Sequence, residues 1–119
     1  MSRTQTRTVW SALALGAVVI SALSVAIVPS LGYDAWGWMT WGREIAHAEL
    51  NTLSGPSWKP LPALVAAPIS VVFGSHTPEA WLFLVRLSAL AAVGVAFEAA
   101  RELALGSKPA VDRRLAVFA

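Results

Sequence analysis

The sequence predicts an all-α membrane protein, with two transmembrane helices joined by an external loop that carries two short juxtamembrane helices. Three observations predict it. Hydrophobic residues make up 56% of the chain and charged residues only 13%, where an ordinary soluble domain carries about a quarter charged. Two apolar runs have the length needed to cross a bilayer. The basic residues lie toward the chain ends rather than in a patch, a pattern of membrane orientation and not of nucleic-acid binding. The net charge is only +2, and there is no cysteine, so a disulfide framework and a thiolate metal site are both excluded.

Residues 1–8 are polar, carry Arg3 and Arg7, and read as a cytoplasmic tail. Residues 9–28 form an uncharged run, about 30 Å long as a helix, and read as the first transmembrane helix. A secretory signal has the same basic flank, but this run is long for one and no small-x-small cleavage site follows it. Pro29 and Gly32 end the span, and residues 29–78 become the loop. Within it, residues 33–50 contain Trp36, Trp38 and Trp41. Asp34, Trp38, Trp41 and Ile45 share one helical face, and Thr40, Glu44 and His47 another. Such an amphipathic, Trp-rich helix suits the membrane surface.

Ser54, Gly55 and Pro56 break the chain. Residues 60–73 are apolar but only about 21 Å long as a helix, and Pro60, Pro62 and Pro68 weaken them further. They read as the second juxtamembrane helix and not a span. Thr77-Pro78-Glu79 opens the next helix, with Thr77 as N-cap, Pro78 at the first position and Glu79 on the positive dipole end. Residues 79–105 form the second transmembrane helix, on which Glu98 and Arg101 are spaced to pair. Residues 106–114, with Lys108, Arg113 and Arg114, read as a cytoplasmic basic loop. Residues 115–119 look like the start of a third span, as in a segment of a larger polypeptide. With two crossings both basic ends face the cytoplasm and the loop faces outside the plasma membrane.

Asp34 is the first candidate for chemistry. A carboxylate just outside a span can serve as a general base or hold a divalent cation; the plainer alternative is a helix N-cap. Lys59, at the water–lipid boundary, can hold a lipid-linked phosphate as a point charge, or simply snorkel to headgroups. Arg86 is a charge inside a span, which marks either a functional site or a snorkelling arginine. Arg43 and Glu44 fit a solvated face. The Trp cluster fits an interface anchor, with a sugar-stacking platform as the alternative. No metal-ligand spacing, Gly-rich phosphate loop or nucleophile triad is present.

The motif order resembles the amino-terminal region of GT-C-fold glycosyltransferases, in particular the protein O-mannosyltransferase and aminoarabinose-transferase-like branch. Those proteins follow their first span with an acidic Asp-Glu motif and then Arg-Glu-Met; here stand Asp34-Ala35 and Arg43-Glu44-Ile45 at the same offset. Their Lys-Pro-Pro-Leu is similar to Lys59-Pro60-Leu61-Pro62, and their Phe-Gly to Phe73-Gly74. Their Ala-Arg-Leu-Pro-Ser-Ala is similar to Val85-Arg86-Leu87-Ser88-Ala89. The resemblance covers roughly residues 9–106. It implies inverting sugar transfer from a polyprenyl-phosphate donor, with Asp34 as catalytic base, Lys59 on the lipid phosphate, and Arg86 and Arg43 in support. Ala35 departs from the motif's second acid and puts metal binding in doubt. The family carries many more spans, so this segment alone is expected to be inactive. The alternative is a two-span accessory or scaffold protein whose Trp-rich loop contacts a membrane partner.

Overall fold

A computed structural model describes residues 3–53 and 55–106, and the expected basic loop and third span therefore lie outside the described residues. Those described form four α-helices: α1 (Arg3–Ile27), α2 (Tyr33–Ala46), α3 (Pro60–Phe73) and α4 (Thr77–Gly106). A single 3-10 turn, Gly74–His76, joins α3 to α4. Helix α1 begins at Arg3, six residues before the apolar run. The polar tail thus continues the helix, because backbone bonding does not require apolar side chains.

Two stretches are long and apolar enough to cross a membrane, Gln5–Ile27 and Pro60–Ala104. Their most apolar windows are only 6% and 11% buried. A core helix of a soluble protein would be largely covered; here the apolar side chains face outward.

Helices α1 and α4 run antiparallel. Trp10 near the start of α1 lies against Gly94 far along α4, its ring 3.6 Å from where a Cβ would stand. At the other end Arg86 of α4 bonds to Ser24 of α1. Between these points Ser21 is fully buried. Small residues let two helices approach where lipid supplies no hydrophobic drive.

Helix α2 packs on α3 and touches α4. Gly42 meets Ala66 so closely that a Cβ on Gly42 would stand 2.6 Å from the Ala66 Cβ. Ala63 and Ala66 are completely covered. Met39, Ala66 and Trp81 form a small core, with Leu31, Ala35, Trp38 and Ile69 around it. Trp81 comes from α4, so this core fixes the α2–α3 pair to the start of the second long helix.

Three helix ends differ from the expectation. Helix α2 stops at Ala46 and not at residue 50. Its last turn closes by a Schellman motif: the Glu49 amide donates to the Glu44 carbonyl and the Ala48 amide to the Ile45 carbonyl. Ala48 takes the left-handed position, φ 59°, which a glycine would occupy without strain. The N-cap of α2 is Gly32, with no side-chain cap, so Asp34 is not the cap. Thr77 is already helical (φ −53°, ψ −42°), and its hydroxyl donates to the Gly74 carbonyl at 2.6 Å. Thr77 therefore closes the preceding turn and does not accept from the α4 amides. The turn itself needs Gly74, whose φ of 54° breaks the path between α3 and α4.

Candidate functional site

Asp34 sits in the first turn of α2, where the helix dipole favours a carboxylate. With the cap position held by Gly32, its side chain is free to reach sideways. Lys59 occupies the position before α3, with an extended backbone (φ −131°, ψ 100°). The following Pro60 enforces that conformation by excluding the helical one, and it sends the lysine back along α2 instead of onto α3. Lys59 Nζ stands 3.6 Å from Asp34 Oδ2, both side chains about half exposed. The same ammonium lies 5.4 Å from the centre of the Trp38 ring.

Trp38 is the floor of this site. It leans on Trp81 at 6.1 Å between ring centres, so α4 steadies it. Its Nε1 is buried with no hydrogen-bond partner. Buried indole N–H groups normally find an acceptor. An ion pair this exposed contributes only about 0–1 kcal/mol, so the fold has little need of it. The pair sets a carboxylate that can accept a proton beside a compact positive charge that can hold a phosphate.

The other two candidates stand elsewhere. Arg43 is exposed near the far end of α2, about 13–14 Å along the axis from Asp34. Its backbone carbonyl accepts from His47 Nδ1 at 2.7 Å, so the Arg43–His47 spacing joins ring to backbone. Arg86 donates to Ser24 Oγ at 3.1 Å and to the Val28 carbonyl. Ser24 lies in the last turn of α1 and Val28 directly follows the helix, where unsatisfied carbonyls carry the negative end of the dipole. Arg86 thus caps α1 from a neighbouring helix. Farther along α4, Arg101 pairs with Glu98 at 2.7 Å and with Glu102 at 2.9 Å.

Residues of α2 and the following segment hold the loop in place. Trp41 is buried, 2% exposed; its Nε1 donates to the Asn51 carbonyl at 3.1 Å. It meets Trp58 edge-on at 5.0 Å. The Asn51 amide donates to Glu44 Oε2 at 3.0 Å. Gly55, at φ 116°, passes beneath the Trp41 ring. Glu44, on its half-exposed face, and the buried Trp41 are therefore both structural partners of the loop. The Gly55 in the breaker cluster was the available signal for so tight a passage.

Among the described residues no three His, Cys, Asp or Glu side chains gather as a metal site. The charged group beside Asp34 is itself a cation. No known protein family, curated protein or solved structure matches the chain.

Proposed function

We propose that this chain is the amino-terminal part of an integral membrane glycosyltransferase. It moves a sugar from a polyprenyl-phosphate donor to an acceptor hydroxyl outside the cytoplasm. The observation that carries this reading is the meeting of Asp34 and Lys59, from separate elements, on a Trp38 floor beyond the end of α1. The acceptor oxygen attacks the anomeric carbon and its proton passes to Asp34. The bond from that carbon to the phosphate oxygen breaks, and the lipid phosphate leaves with the electron pair toward Lys59. Arg43 and Arg86 act at a distance, Arg86 by holding the end of α1 that sets the height of the site. The half-exposed pair lacks the enclosure that such chemistry requires, so later parts of a larger polypeptide close over it and the segment alone is inactive.

In the intact enzyme, Asp34→Asn lowers transfer from a polyprenyl-phosphate sugar in vesicles by about 10²–10⁴-fold. Insertion and folding survive, because the ion pair contributes little. Wild-type rates in Asp34→Asn would end the catalytic assignment. Membrane orientation has its own check, which the absence of cysteine makes simple. Single cysteines at Ser57 and Ser107 label from opposite faces of the plasma membrane; same-face labelling overturns the external loop.

A second reading is an accessory or scaffold protein without catalysis. The observation favouring it is the exposed aromatic surface of Tyr33 and Trp36, which suits a membrane partner. That protein tolerates Asp34→Asn and loses its partner when Trp36 is replaced.

A further inference from the structure

Around α2 from Asp34, a shallow cavity of about 190 Å³ opens between the helix and the following loop. Tyr33, Trp36, Thr40 and Glu44 line one side and Asn51 and Pro56 the other. The four helical residues recur at the spacing of a single face. The cavity is well below the roughly 300–1,000 Å³ of sites for drug-sized ligands, and its dimensions suit one ring.

Its polar groups are partly committed and partly open. Glu44 Oε2 accepts from the Asn51 amide, which leaves Oε1 as an acceptor. Asn51 Oδ1 accepts from the Leu53 amide at 3.0 Å, which leaves its side-chain NH₂ as a double donor. The Thr40 hydroxyl donates to the Trp36 carbonyl and keeps lone pairs. Beside these stand the exposed faces of Tyr33 and Trp36. Flat aromatic faces accept the apolar C–H side of a ring, while an adjacent acceptor and donor match neighbouring hydroxyls. Glu44 repels anions, and no cation lines the cavity. The walls are preorganised: Trp41 pins Asn51, and the Pro56 ring stands 2.5 Å from where a Gly37 Cβ would be.

We infer that this groove binds a neutral pyranose unit, at a site separate from the Asp34–Lys59 pair. The inference goes beyond the transferase reading, because an accessory protein could carry the same groove. The test uses the full chain in lipid nanodiscs, with methyl α-mannopyranoside and methyl α-glucopyranoside as probes in saturation-transfer NMR. One of them binds saturably in the millimolar range. Trp36→Ala and Glu44→Gln each weaken that binding about tenfold, and Arg101→Ala, far along α4 in its pair with Glu98, leaves it unchanged. Trp36 is half exposed, and Gln at position 44 still accepts from the Asn51 amide, so both variants keep the fold. Absence of saturable binding up to about 100 mM, or binding that neither variant alters, overturns the inference. Transfer that depends on Asp34 without sugar binding here removes the groove alone. Sugar binding here with wild-type transfer by Asp34→Asn in the intact enzyme removes the transferase reading alone.

Discussion

The two helix pairs of this molecule are held by opposite means. In α1–α4 the surfaces are apolar and mostly uncovered, and polar contact is concentrated where Arg86 meets Ser24 and Val28. In α2–α3 the contact is close and continuous. Gly42 sits on Ala66, and Trp41, Glu44 and Asn51 bind the connecting loop. Lipid offers apolar helices no reason to associate, so a spanning pair depends on small residues and a few polar bonds. Between α2 and α3, burial itself drives packing, and the site residues lie on the better-packed pair. Precision belongs to α2–α3 and length to α1–α4.

Substitutions can break this contrast. Gly42→Leu forces α2 off α3 and costs that pair about 1–3 kcal/mol. Hydrogen exchange in detergent is faster across residues 33–73 and unchanged across α1. Equal acceleration in α1 would show that the two pairs are one unit. Arg86→Met acts the other way. It loosens α1–α4 by about 0.6–1.7 kcal/mol, the range for polar contacts between membrane helices. It lowers the midpoint of SDS-induced unfolding while the near-ultraviolet signal of the Trp38–Trp81 contact persists. Ala48→Gly has the smallest effect and the opposite sign. Relief of the left-handed alanine stabilises the end of α2 by about 1 kcal/mol, seen as slower amide exchange at His47, Ala48 and Glu49.

The helical architecture was legible in the sequence because apolar runs, prolines and glycines punctuate it clearly. Pro60 and Gly74 bracket α3, and Gly32 precedes α2, as those residue types require. The end of α2 was not legible, because a left-handed alanine leaves no compositional trace. Nor was the role of Thr77: its hydroxyl suits either direction of bonding, and the 3-10 turn before it decided the matter. At the site, Asp34 and Lys59 were visible as chemistry-bearing residues, but their meeting depends on the return of the loop. That return rests on Gly37, Gly55 and the Trp41–Asn51 bond. Arg86 was visible as a charge within an apolar run, yet the carbonyl it caps belongs to a turn distant in sequence. Local patterns name the elements; contacts across the loop assign their partners.

The cap on α1 also has a consequence for biogenesis. Arg86 follows Val28 by 58 residues, which at about 5–20 residues per second is roughly 3–12 s of translation. During that interval the nascent first helix ends in carbonyls that only water or headgroups can satisfy. Its terminus therefore lacks its protein partner until the second long helix is made. Arrival of the guanidinium then locks the hairpin in register, so the order of synthesis sets when the two long helices can pair.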